Sequence, residues 1–185
     1  MNDSKRIIII VVLMTLVLVG MVAKQQYTLN TGELVVLKTT PIDPRSLFRG
    51  DYVRLNYDIS RLSSVSFPVL SQLKHNDAVF IALEKKGEFW ETVDVFESMP
   101  DSSSEMVVLK GHVVMPLWRT GSGGDELTVK YGVENYFVPE GEGLALEQLR
   151  NQDKVSMQIA VDSFGNAGIK AVLVNGHPRY VETLF

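Results

Sequence analysis

Residues 7–23 read IIIIVVLMTLVLVGMVA, and only Thr15 and Gly20 interrupt the apolar run. As a helix rising about 1.5 Å per residue, the run is roughly 25 Å long, a little short of the ~30 Å hydrocarbon core of a bilayer. Lys5 and Arg6 on one side and Lys24 on the other can snorkel to the headgroups and close that gap. A β-branched run is poor helix material in water, but in lipid the backbone has only helical partners for its polar groups. No second stretch approaches the length of a span, which excludes a polytopic membrane protein.

The expected layout is a cytoplasmic N-terminus at 1–6, a transmembrane anchor at 7–23, a linker at 24–32 and an extracytoplasmic domain at 33–185. Lys5 and Arg6 against the single Lys24 lean the N-terminus into the cytoplasm under the positive-inside rule. Two other readings stay open. A cleavable signal peptide has a shorter apolar core, and a cut after Ala23 would place Met21 where a small residue is wanted. The third is a helix buried in a soluble core.

The first 24 residues hold one acidic and three basic side chains of the chain's 22 and 18. The other 161 residues therefore hold 21 acidic and 15 basic, a net charge of −6. That balance excludes a basic nucleic-acid surface. The absence of cysteine excludes a disulfide framework and a lipid-modified cysteine anchor.

Beyond the anchor, apolar and polar residues alternate at period two, the signature of half-buried strands. Strands are expected at 33–40, 51–59, 78–83, 88–96, 106–115, 127–131, 136–138, 155–161, 168–174 and 180–184. Val53, Leu55, Tyr57 and Ile59 share one face of the second, while Tyr52, Arg54, Asn56 and Asp58 share the other. Turns are expected at Lys85-Lys86-Gly87, at Ser163-Phe164-Gly165-Asn166 and at Asn175-Gly176. Leu144 to Arg150 is the best helix candidate in the soluble part, and 61–75 reads as a loop with a helical turn. The fold class is thus mainly β: one transmembrane helix, then an antiparallel barrel- or sandwich-like domain with one or two short helices.

The stretch PIDPRSLFRGDYVRLNYDI, from Pro41 to Ile59, is dense in local signals. Asp43 can cap a helical turn that starts at Pro44, and Gly50 can end it. Arg45, Arg49, Arg54 and Arg61 interleave with Asp43, Asp51 and Asp58. Guanidinium forks suit carboxylates, so this block is either a structural cluster or a recognition surface for an anionic ligand or a partner's carboxylates.

Gly50-Asp51-Tyr52-Val53-Arg54-Leu55-Asn56-Tyr57 resembles the motif Gly-Asp-Tyr-x-x-Leu-x-Tyr of the GDYXXLXY proteins, a family of bacterial membrane-anchored proteins. The preceding Pro41-Ile42-Asp43-Pro44-Arg45, with Arg49, is similar to what that family carries there. A second block, Tyr131-Gly132-Val133-Glu134-Asn135-Tyr136-Phe137-Val138-Pro139-Glu140-Gly141-Glu142-Gly143, resembles a later stretch of the family. The resemblance implies a binding role for Asp43, Arg45, Arg49, Gly50, Asp51, Tyr52, Arg54, Leu55 and Tyr57. The second block is carried by Tyr131, Gly132, Glu134, Tyr136, Phe137, Pro139, Glu140, Gly141 and Gly143, to which the resemblance attaches no role. It implies no assigned activity, and an assembly with polytopic membrane proteins of the inner membrane, the domain lying in the periplasm.

Enzyme chemistry finds little support. Ser46-Leu47-Phe48-Arg49-Gly50-Asp51 is similar to part of a signal-peptidase block, but Ile42 stands where the nucleophilic serine would be. Without a hydroxyl no acyl-enzyme can form. His75, His112 and His177 each lack a second ligand at metal spacing, and Gly121-Ser122-Gly123-Gly124 lacks the lysine of a phosphate-cradling loop. Glu134, Glu140 and Glu142 fit no calcium loop, and Trp90 and Trp118 read as packing residues. The expectation is a membrane-anchored accessory protein with no catalysis, cofactor, metal or nucleic acid. It docks to a polytopic integral-membrane partner. The alternatives are a binding module for an anionic envelope component, through the Arg/Asp block, and a signal-peptidase-like fold without its nucleophile.

Overall fold

The computed structural model describes residues 3–40, 52–101, 106–120, 124–137, 146, 149, 152 and 154–182, with backbone alone at 52, 115–120, 124 and 125. Helix α1 runs from Asp3 to Thr31 without a break. The apolar window of α1 is wholly unburied, so a helix inside a soluble core is ruled out. Residues 24–31, expected as linker, are instead the last two turns of the helix. Their polar sequence KQQYTLNT carries no lipid signal; what holds them helical is packing against the domain.

That domain is a curled antiparallel sheet, half-barrel-like. In chain order its strands are β1 (Glu33–Thr40), β2 (Tyr52–Arg54), β3 (Asn56–Tyr57), β4 (Arg61–Ser63), β5 (Ala78–Lys86) and β6 (Phe89–Phe96). Then follow β7 (Val107–Thr120), β8 (Gly124–Lys130), β9 (Asn135–Phe137), β10 (Val155–Val161), β11 (Ala167–Val174) and β12 (His177–Val181). One five-stranded sheet has the order β12-β11-β10-β1-β3, the other β4-β8-β7-β5-β6, and β2 and β9 pair between them. The two larger sheets meet where β1 lies against β6.

The core is assembled from alternate residues of several strands. Val35 and Leu37, Val79 and Ile81, Leu127 and Val129, and Val155, Met157 and Ile159 are all buried between the sheets. Asn175 and Gly176 both take positive φ, 51° and 78°, the geometry of a two-residue hairpin turn. Gly87 at φ +67° closes the β5–β6 hairpin in the same left-handed region.

One expected strand is broken. Residues 51–59 read as a single strand, but the chain changes partner in the middle. β2 pairs with β9, β3 pairs with β1, and residues 58–60 form a 3-10 turn. Val53, Leu55, Tyr57 and Ile59 remain buried throughout, so the alternation survives the change of partner and cannot reveal it. Within 61–75 a 3-10 turn spans Pro68–Gln72, behind the short strand β4. Of the expected helix at 144–150, Leu146 and Leu149 are helical and Leu146 is buried, while its other residues lie outside the described ones.

Candidate functional site

The two sequence blocks meet in space and clasp each other through the backbone. Tyr52, Val53 and Arg54 pair antiparallel with Phe137, Tyr136 and Asn135. The Leu55 N–H continues this ladder, donating to the Glu134 carbonyl at 2.8 Å. Each block then sends a tyrosine into the other. The Tyr57 hydroxyl donates to the Val133 carbonyl at 2.6 Å, and the Tyr131 hydroxyl to the Ile59 carbonyl at 2.5 Å. Both rings are buried, so both bonds form away from water, where a lost partner is costly.

Glu134 closes the turn that makes this possible. Its carboxylate accepts the backbone N–H groups of Tyr131 at 2.5 Å and Gly132 at 3.1 Å. Gly132 sits at φ +84°, a conformation that suits glycine. Burial, then the nearby Glu134 charge, push the Tyr57 and Tyr131 hydroxyls well above the usual tyrosine range. Both hydroxyls are donors to backbone carbonyls of the facing block. Tyr136 is raised too, by burial and then by its hydrogen bond to Glu182.

The structure therefore brings Leu55 and Tyr57 together with Tyr131, Gly132, Glu134 and Tyr136, and gives all six a packing or hydrogen-bonding task. Arg54 and Phe137 lie at the surface of the same β2–β9 ribbon. Asp43, Arg45, Arg49, Gly50, Asp51, Pro139, Glu140, Gly141 and Gly143 lie outside the described residues, as does the side chain of Tyr52. Two open clefts, of about 420 and 390 Å³, flank the clasp and share Asp58 and Arg61. Lys38, Trp90 and Glu91 join them in the first, Thr40, Asn56 and Thr128 in the second. Among the described residues no three histidine, cysteine or carboxylate side chains gather as metal ligands. The His75 ring is bonded to the Val114 carbonyl at 2.7 Å, which pins a loop.

A second structured locus joins helix and domain, and sequence reasoning missed it. The Thr28 hydroxyl donates to the Asp162 carboxylate at 2.6 Å, in a buried contact. The same carboxylate accepts the backbone N–H groups of Phe164 and Asn166, both at 2.9 Å, and the Asn166 side-chain amide at 3.0 and 3.1 Å. Burial alone would raise the Asp162 carboxyl. The bonds from Thr28, from the Asn166 side chain and from the backbone of Asn166 and Phe164 outweigh it and hold it below the usual carboxylate range.

Close approach completes the joint. A Cβ on Gly32 would stand 2.5 Å from the Thr28 carbonyl oxygen and 2.8 Å from the Val161 nitrogen. Gly168 pairs with Ala160 across β10–β11, and a Cβ on it would meet Gln25 and Leu29 of the helix at 2.9 Å. The legible signal was Asp162 ahead of the turn at 163–166: an aspartate that bonds the backbone two residues on is a turn-former. The helix contact itself carries no sequence signature.

Fold and site define a class: one exposed apolar N-terminal helix, packed at its end against an antiparallel β domain in which two sequence blocks pair. The family model of the GDYXXLXY protein matches residues 14–172, most of the chain, and the chain belongs to that family, whose function is unassigned. No curated protein and no solved structure matches it.

Proposed function

We propose that this chain is a membrane-anchored accessory protein whose β domain is presented at the outer face of the cytoplasmic membrane. There it docks to a polytopic integral-membrane partner and performs no catalysis of its own. The observation that carries the reading is the continuity of α1. The helix leaves its apolar segment and packs onto the domain without a break in its helical turns. A tethered enzyme that meets diffusing substrates has no need of such a joint. A docking protein that must hold one height and one orientation against a neighbour does. Lys5 and Arg6 ahead of the run favour a cytoplasmic N-terminus, hence a periplasmic domain. Retention of the helix, rather than its removal as a signal peptide, fits the length of the apolar run and the presence of Met21 where a cut after Ala23 wants a small residue.

The test is isolation of the full chain from its own membranes in mild detergent. The expected result is a stoichiometric polytopic protein that survives a salt wash. A lone chain at every detergent and salt condition tried would overturn the reading.

A further inference from the structure

A cleft of about 630 Å³ opens where the end of α1 meets the domain. Its walls carry Lys24 and Gln25 from the helix, Lys110 and His112 from β7, and Asn166 from the β10–β11 turn. No carboxylate lines it. Two acids lie beside it and both are hydrogen-bonded: Asp162 to Thr28, Phe164 and Asn166, and Glu134 to the backbone of Tyr131 and Gly132. The Lys110 ammonium lies 5.8 Å from the centre of the Phe80 ring, and among the described residues neither lysine has a carboxylate partner. In a domain with six more acidic than basic side chains, a basic cleft free of acid is an exception in charge.

Its depth says what that charge faces. The apolar run ends at Ala23. The headgroup layer is about 5–8 Å thick on each side, which four or five helical residues traverse. Lys24 to Thr28 therefore cross the headgroup layer, and the cleft is built on that stretch. The turn after β10 lies at the same height, since Asp162 bonds Thr28 and Gly168 abuts Gln25 and Leu29. At its tip Phe164 is 67% exposed, an apolar ring placed at the membrane surface.

We infer that this cleft binds the phosphate headgroup of an anionic phospholipid from the bilayer that holds α1, with Lys24 and Lys110 as the cationic contacts. Gln25, Asn166 and His112 supply further polar groups around the phosphate. The bound lipid offsets the repulsion between an acidic domain and an anionic membrane, and fixes the angle of the domain on the surface. The inference rests on the anchoring reading above.

The experiment uses the full chain in dodecyl maltoside. Dihexanoyl phosphatidylglycerol, dihexanoyl phosphatidylcholine and inorganic phosphate are titrated separately, and native mass spectrometry counts retained ligands. One phosphatidylglycerol is expected to bind saturably, at least about tenfold more tightly than phosphatidylcholine. Lys24→Gln and Lys110→Gln each lose most of that preference, with melting temperature unchanged. Lys86→Gln, on the distant β5–β6 hairpin, keeps it. Equal binding of the two lipids, equal loss in Lys86→Gln, or displacement by inorganic phosphate at matched concentration would overturn the lipid site. Carbonate extraction of native membranes separates the two readings. Release of the chain overturns anchoring whatever the titration gives, while full retention without lipid preference overturns the headgroup site alone.

Discussion

The clasp and the helix joint are built on the same device, and the difference between them explains what each is for. In both, one carboxylate closes a tight turn by accepting backbone N–H groups: Glu134 for residues 131–134, Asp162 for residues 162–166. Glu134 spends its bonds inside its own turn, and the tyrosines beside it reach the partner segment. Asp162 spends one bond outside, on Thr28 of the helix. The clasp therefore holds the β domain to itself, and the joint holds the domain to its anchor. Damage to the first should unfold the domain; damage to the second should free a folded domain from a fixed pose.

The largest separation of the two regions should come from Leu55→Ala. Leu55 is fully buried in the clasp, and truncation there should cost about 2–5 kcal/mol of domain stability in urea unfolding of the detergent-solubilised chain. Unchanged stability would remove the clasp from the core. Asp162→Ala comes next, removing the acceptor of the Phe164 and Asn166 backbone N–H groups and of the Asn166 amide, for about 2–3 kcal/mol. Its signature differs from that of Leu55→Ala, because the strand circular dichroism should persist while the helix contact loosens.

Acid should mimic that change. The folded Asp162 carboxyl lies below its unfolded value, so its contribution is complete above the ordinary carboxylate pKa of about 4 and fades as pH falls through the folded value. In Asp162→Asn this part of the acid dependence should vanish; an identical acid profile would show that the carboxylate is not what titrates. Tyr57→Phe and Tyr131→Phe each leave a buried carbonyl unpaired and should cost about 1–2 kcal/mol. Because both span the same seam, the double variant should fall short of additivity in a double-mutant cycle. The smallest effect is expected from Gly168→Ala. There the new Cβ meets the ends of Gln25 and Leu29, which can shift, so about 1 kcal/mol is expected and only the joint should register it.

Sequence patterning made one of these regions far more legible than the other. The clasp residues stood out because Leu55 and Tyr57 obey the period of two and because both blocks resemble stretches of the GDYXXLXY family. What remained hidden was the change of strand partner near Leu55, since inward alternation continues from Val53 to Ile59 across β2, β3 and a 3-10 turn. Leu55, Tyr57, Tyr131 and Glu134, singled out by the two blocks, each have a packing or hydrogen-bonding task in the fold. A buried hydrogen-bonded tyrosine and an exposed ligand-binding one look alike in a sequence. The joint was nearly silent. Gln25, Thr28 and Leu29 form no apolar stripe strong enough to read, and small partners such as Gly32 and Gly168 resemble loop residues until the helix is seen against them.

That the domain is held in one pose on its anchor is the claim from which the accessory role and the lipid site both follow. The chain has no cysteine, so a pair of spin labels can be placed without background. With labels at Val19→Cys in the helix and Glu84→Cys on β5, the interspin distance in lipid nanodiscs should be a single narrow distribution that broadens in Asp162→Ala. A broad distribution in the otherwise native chain, unaltered by Asp162→Ala, would contradict the rigid joint.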